Sequence, residues 1–231
     1  MDSRSRGWGF ALVLASMLFL VPVSLASAQT DEPRAGTSAE EQDFKVELEP
    51  PKAGSLRAKA LAALTSLDRA QALTLYSLQP WPTPRTPAAW YKLPEAEQSE
   101  RVAAFFEKDR RRWCRGHACI EANRVLGRVE TSGADRLAVL QAARDALGKV
   151  PNFGYACAAE YRHAIAFADQ GHRYEILLCY HCGQVKVVVD GKERSGDQSA
   201  YEMGDLRTID AILTRAGVPL AKGADAGDED E

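Results

Sequence analysis

Five cysteines and four histidines hold the chemistry available to this sequence. The densest group is Cys179-Tyr-His-Cys182, with Cys157 and His163 a short way upstream. A C-x-x-C pair serves as a dithiol redox centre, as half of a zinc site, or as a structural element. The redox form needs its first cysteine at a helix N-terminus, where the dipole lowers the thiol pKa. Here Cys182 runs into Gly-Gln-Val-Lys-Val-Val-Val, which is a strand pattern and argues against that use. Zinc would draw on Cys157, Cys179 and Cys182 with His163 or His181 as tetrahedral ligands. The chain has one tight C-x-x-C and no second, so no cofactor is expected and zinc stands as the alternative. A nucleophile pair could be drawn from Cys157 or Cys179 with His163, provided they come within hydrogen-bond reach. Arg162, next to His163, would hold an anion or steady a thiolate. The candidate functional cluster is therefore Cys157, Arg162, His163, Cys179, His181 and Cys182, while His172 falls in a turn and is expected to face solvent.

How these sulfurs are used depends on the compartment, and the first residues bear on it. Arg4 and Arg6 precede an apolar run from Phe10 to Leu25, and Ala26-Ser27-Ala28 follows as a small-x-small cleavage site. That order predicts a signal peptide over residues 1–28 and export to a periplasmic or extracellular space. A membrane anchor is the competing reading, but Pro22 and Ser24 interrupt the run, and a spanning helix needs about 20 apolar residues. No later segment is long or apolar enough to cross a bilayer.

In an oxidising space disulfides are the default. Five cysteines leave at least one thiol outside any intrachain pair. Cys114 and Cys119 bracket Arg-Gly-His-Ala, and Gly116 permits the sharp turn that a bridge requires. Three strand steps of about 3.3 Å would hold Cys179 and Cys182 about 10 Å apart, beyond the roughly 7 Å that a disulfide spans. Only a bulge or bend near Gly183 closes that gap. A hairpin turned at Gln170-Gly171 places Arg162 opposite Cys179 and brings Cys157 toward Cys182. Cys157–Cys182 is therefore preferred over Cys157–Cys179.

The elements that must position these residues follow from periodicity. Leu56, Ala60, Leu64 and Leu67 share one helical face over Ser55 to Arg69. A strand is expected over Ala72–Leu78. Pro80, Pro82, Pro84, Pro87 and Pro94 then force an extended loop carrying Trp81, Trp90 and Tyr91. Glu95 to Trp113 reads as a helix with Val102, Phe105 and Phe106 inward; its early acids and late arginines suit the dipole. Arg124–Glu130 is a strand. Ser132 and Asp135 suggest a capping box for a helix with Leu137, Leu140, Ala143 and Leu147 inward, stopped by Gly148. Further strands are expected over Phe153–Cys157, Arg162–Ala168, Arg173–His181 and Gln184–Asp190, with turns at Gln170-Gly171 and Asp190-Gly191. A last helix runs from Asp205 to Ala216 through Leu206, Ile209, Ile212 and Leu213. The fold class is α+β, a mainly antiparallel sheet of about five to six strands packed with three to four helices.

Residues 29–54 are rich in Glu, Asp, Pro, Ser and Lys and predict a disordered linker; residues 223–231 predict an acidic disordered tail. The folded domain then spans residues 55–222. The net charge of −3 argues against nonspecific nucleic-acid binding. Arg101, Lys108, Arg110, Arg111, Arg112 and Arg115 form one local basic stretch, a solvated face with the alternative of an anionic partner.

Cys157, Arg162-His163-Ala164-Ile165 and Cys179-Tyr180-His181-Cys182 together resemble an uncharacterised family of small exported bacterial proteins. That family shows a C-x-x-P-R-H-[GA]-[IL] segment followed by a strand ending in C-[FY]-x-C. Leu73-Thr-Leu-Tyr-Ser-Leu-Gln-Pro80 and Val125-Leu-Gly-Arg-Val129 are similar to other segments of it. Here an extra residue separates Cys157 from Arg162 and the proline is missing. The stretch holding Cys114 and Cys119 is an elaboration. The resemblance implies a fold and export, and no mechanism.

No G-x-S-x-G elbow, phosphate-binding glycine loop or H-E-x-x-H is present. Two functions remain. One is a noncatalytic exported protein that binds an unidentified protein or small ligand through its sheet face or aromatic loop. The other is a thiol- or metal-dependent protein centred on Cys157, Cys179 and Cys182.

Overall fold

The computed structural model describes residues 45–68, 70–154 and 156–223. The expected signal peptide, most of the expected linker and residues 224–231 lie outside them. In chain order the first elements are β1 (Leu48–Glu49), α1 (Leu56–Ser66) and β2 (Thr74–Gln79). A 3-10 turn at Ala88–Lys92 precedes α2 (Glu95–Trp113), β3 (Cys119–Ile120), β4 (Asn123–Glu130), α3 (Gly133–Gly148) and β5 (Val150–Pro151). The chain continues through β6 (His163–Asp169), β7 (His172–Cys179), β8 (Gln184–Val189), β9 (Glu193–Arg194), β10 (Gln198–Ser199) and α4 (Leu206–Arg215).

The fold is α+β. The main sheet has eight strands in the order β10-β8-β7-β6-β2-β4-β3, with β9 paired on β8, and every pairing is antiparallel. That exceeds the five to six strands expected, because the two-residue strands at its margins carry no periodicity to read. A separate pair, β1 with β5, corrects the linker expectation at its end. Leu48 and Glu49 pair with Pro151 and Val150, and Asn152 binds both Glu47 and Lys45. Two backbone pairings and one asparagine thus order a polar stretch whose composition gives no apolar reason to fold.

Both faces of the sheet are buried. Leu75, Ile165, Phe167, Ile176, Leu178, Val185 and Val187 face α1, α3 and α4 in the larger core. Tyr76, Leu78, Ala164, Ala166, Leu177 and Cys179 alternate with them and form a smaller cluster on the opposite side. The hairpins turn where glycine or a short polar residue adopts positive φ: Gln170 (48°) and Gly171 (84°) between β6 and β7, Asp190 (55°) and Gly191 (66°) after β8. Gly183 (φ 56°) closes the tight bend between β7 and β8.

Ala60 and Leu64 of α1 and Ile209, Ile212 and Leu213 of α4 are buried as expected, whereas α3 and α2 sit differently from their sequence faces. In α3 the buried stripe is Val139, Ala142, Ala143, Ala146 and Leu147, whereas Leu137 is exposed. Gly204 packs directly on this stripe: a Cβ there would lie 2.9 Å from the Ala142 Cβ. Ser132 is the N-cap of α3, but its side chain makes no capping bond. No residue of α2 is buried. Phe105 and Phe106 pack edge-on against Trp90 and Trp81, each pair 5.5 Å apart, so α2 rests on the proline-rich loop and not on the core. The expected strand over Phe153–Cys157 is not regular structure in its described residues. The pairing with β1 ends at Pro151, and Asn152 and Gly154 favour a turn after it.

Arg57 is the strongest local surprise. It lies in α1, is 1% exposed, and donates to the carbonyls of Ala146, Leu147, Lys149 and Ser199 at 2.7–3.1 Å. Three of these carbonyls close the end of α3 and the fourth lies on β10. The guanidinium therefore ties α1, α3 and the sheet margin together and sits at the negative end of the α3 dipole. Burial lowers its pKa to about 10.

Candidate functional site

The strand alternation divides the residues of the expected cluster. Cys179 points to the face opposite the large core, and Cys157 and Cys182 come together there as a disulfide. A second disulfide joins Cys114 to Cys119. Cys179 is the free cysteine and has no exposed surface. Its sulfur accepts the backbone N–H of Glu160 (3.2 Å) and of Cys182 (3.4 Å). The β6–β7 pairing ends at His163 against Leu178, and Arg162 is the next residue back. Arg162 pairs with Glu160 at 3.0 Å.

His163 is on the other face. It packs edge-on to Tyr180, and its Nε2–H meets Asp210 of α4 at 2.8 Å. The sheet thus lies between His163 and the cysteines, which removes the Cys–His nucleophile pair that sequence proximity suggested. His181 lies exposed on the β7–β8 bend, lining a second hollow of about 570 Å³ with Tyr180, Tyr201 and Asp205. Among the described residues no group of three or more His, Cys, Asp or Glu side chains is placed to hold a metal. His172 meets Asp190 at the surface.

Around His163 the structure brings together residues that sequence reading passed over. Ser77 of β2 is its direct partner across the strand pair, on the same face. Among the described residues neither Ser77 Oγ nor His163 Nδ1 has a hydrogen-bond partner, and both are buried. Ser77, His163 and Asp210 have the residue types of a hydrolytic triad. A nucleophile needs a substrate within reach, however, and Ser77 has no exposed surface. The row instead clamps α4 onto the sheet. Burial depresses the His163 pKa and outweighs its hydrogen bond to Asp210, which acts to raise it. The neutral Nε2–H tautomer satisfies Asp210 and leaves a bare lone pair at Nδ1, where imidazolium would leave a buried, unpaired N–H.

Another open concavity is on the disulfide face. A cleft of about 530 Å³ runs between α2, the proline-rich loop and the sheet. One wall is Trp81 with the Arg110 guanidinium 4.7 Å over its ring. Trp81 is fixed from behind: its Nε1–H donates to Asp109 (2.8 Å) and its ring meets Phe106. The lining also includes Tyr161, Lys186 and Asp197. Tyr161 donates to Asp197 (2.7 Å), Lys186 pairs with the same carboxylate (2.8 Å), and its Nζ lies 5.5 Å over the Tyr161 ring. Burial and then Asp197 push the Tyr161 phenol upward. Burial acts to raise the Asp197 pKa, but the bonds from Lys186 and Tyr161 outweigh it and leave the carboxyl below its ordinary value.

The disulfides brace this cleft. Cys114 lies in its lining, and Ala158 and Ala159, which follow Cys157, form part of its floor. Gln184 Nε2 donates to the Cys157 carbonyl and holds the same segment. The basic stretch and the aromatic loop, two separate features in sequence, meet at Arg110 and Trp81. Arg110 forms no ion pair among the described residues, whereas Arg111 meets Glu107 (3.6 Å) and Arg194 meets Glu121 (3.3 Å).

No family model, curated protein or solved structure matches this chain. Among the described residues no helix is long and apolar enough to cross a membrane.

Proposed function

We propose that the chain is an exported, noncatalytic binding protein, and that its ligand enters the cleft between α2 and the sheet. The observation that carries this is the meeting of an aromatic face and an unneutralised guanidinium, Trp81 and Arg110, in a concavity of about 530 Å³. Such a volume suits a small organic ligand. Trp81, half-buried, offers planar apolar surface, and Arg110 favours an anionic group. The ligand chemistry is therefore an aromatic or amphipathic anion. Two disulfides beside the cleft fit a site kept rigid in an oxidising space. The apolar run and small-x-small site near the N-terminus support export, as does the resemblance to small exported proteins.

The test is saturable binding of anilinonaphthalenesulfonate, an aromatic anion, followed by its fluorescence. Arg110→Gln and Trp81→Ala each weaken binding tenfold or more, and Tyr201→Ala in the second hollow leaves it unchanged. Equal binding by all four proteins overturns the reading.

One observation favours a second, thiol-based reading: Cys179 is the single free thiol and two N–H groups converge on its sulfur. Thiol titration separates the two. Reaction of Cys179 only in denaturant fits a structural thiol, and rapid reaction in the native protein favours the thiol-based reading.

A further inference from the structure

The chain leaves the described residues close to the cleft. After α4, Gly217 turns it at φ 72°, and Val218 settles against Gly127 of β4, where an added Cβ would lie 2.8 Å from Val218 Cγ1. Lys222 is then held on both sides of its backbone. Its N–H donates to Gln79 Oε1 (2.9 Å), and its carbonyl accepts from Gln79 Nε2 (3.5 Å). Gln79 ends β2, and the next two residues, Pro80 and Trp81, line the cleft. The path out of the fold is thus pinned next to the cleft lining, one residue before Pro80.

The residues that follow Gly223 carry Asp225, Asp228, Glu229, Asp230 and Glu231, with no cation among residues 224–231. The cleft has the complementary charge to meet them. Its three carboxylates are engaged: Glu107 with Arg111, Glu121 with Arg194, and Asp197 with Lys186 and Tyr161. Arg110 is exposed at the mouth, and Arg115 just past α2 is exposed as well; neither forms an ion pair among the described residues. Eight residues reach about 27 Å when extended, several times the two-residue step of about 7 Å from Gln79 to Trp81. A short tether also gives a high effective concentration, so weak contacts suffice to keep the segment near the cleft.

We propose that residues 224–231 dock in this cleft, carboxylates at Arg110 and Arg115, as a tethered competitor that an anionic ligand must displace. This rests on the reading of the cleft as an anion-binding site. The contacts are exposed ion pairs, so added salt weakens them.

The experiment compares the full chain with a full-length variant carrying Asp225→Asn, Asp228→Asn, Glu229→Gln, Asp230→Asn and Glu231→Gln. The probes are the NMR signals of the Trp81 Nε1–H and Arg110 Nε–H, together with anilinonaphthalenesulfonate affinity. The expected result is that both signals differ between the two proteins at low salt and converge at 0.5 M NaCl (about 4 Å screening). The neutralised variant binds the dye about threefold more tightly. Superimposable signals at low salt overturn the proposal, and so do differences that fade on dilution, which would place the segment on a second copy. Dye binding that Arg110→Gln abolishes in the neutralised variant keeps the cleft reading standing even then, so the two ideas fail separately.

Discussion

On one face of the main sheet, Leu75, Ile165, Ile176, Leu178, Val185 and Val187 have no exposed surface and lie under α1, α3 and α4. On the other face α2 contributes no buried residue, and its phenylalanines rest on tryptophans of a proline-rich loop. The first face is packed by apolar burial, together with Arg57 and the His163–Asp210 clamp, and only its margin at Tyr180, Ala200 and Met203 carries a hollow. The second is held by covalent links, both disulfides lying on it, and is left open as a cleft. Tight burial excludes a ligand, as the sealed Ser77–His163–Asp210 row illustrates. Looser packing stiffened by disulfides leaves room for one.

The contrast is sharpest at Arg57. Arg57→Met leaves the carbonyls of Ala146, Leu147, Lys149 and Ser199 without their donor and is expected to cost about 4 kcal/mol, read as a fall in the urea midpoint. A loss below about 1 kcal/mol would mean that the helix face does not depend on that buried cation. On the cleft face, the double variant Cys157→Ser, Cys182→Ser opens a loop of 25 residues' separation and should cost about 3.5 kcal/mol on loop-closure grounds. The shorter Cys114–Cys119 clip should cost about 2 kcal/mol when both its cysteines become serine. Reversal of that order would show that the clip, and not the longer bridge, holds the cleft face.

Packing substitutions compare the faces directly. Leu75→Ala, fully buried, is expected to cost about 3 kcal/mol, and Phe106→Ala, half-buried against Trp81, about 1 kcal/mol. Equal losses in thermal or chemical unfolding would erase the distinction between a packed face and a braced one.

The smallest effect concerns acid. Burial holds His163 below its ordinary pKa, so the unfolded chain binds more protons between the folded value and about 6.5. Its contribution to stability is therefore complete above about pH 6.5 and is lost as pH falls through the folded value. Urea midpoints measured across acidic pH should slope less in His163→Gln than in the parent. Parallel slopes would remove His163 as the source of acid sensitivity on the helix face.

Much of the sheet was legible because its signals are local. Alternation marked β2, β4, β6, β7 and β8, and Gln170-Gly171 fixed the hairpin whose register then drew Cys157 toward Cys182. The candidate site was far less legible. Grouping Cys157, Arg162, His163, Cys179 and His181 by proximity along the chain ignored that neighbouring strand residues face opposite ways. Asp210 and Ser77 lie 47 and 86 residues from His163, so no spacing rule joins them. α2 misled for another reason: its aromatic stripe is the same whether the partner is a core or a loop.

Local sequence determined the helices, the central strands, the turns and the supply of cysteines, because period and backbone preference act over a few residues. The tertiary structure alone decided that His163 and Cys179 lie on opposite sides of the sheet, that Arg57 is buried among carbonyls, and that Trp81 and Arg110 share a cleft with Lys186. Each of these depends on which distant segments come together, and that is fixed by the burial of the whole sheet and not by any short stretch of it.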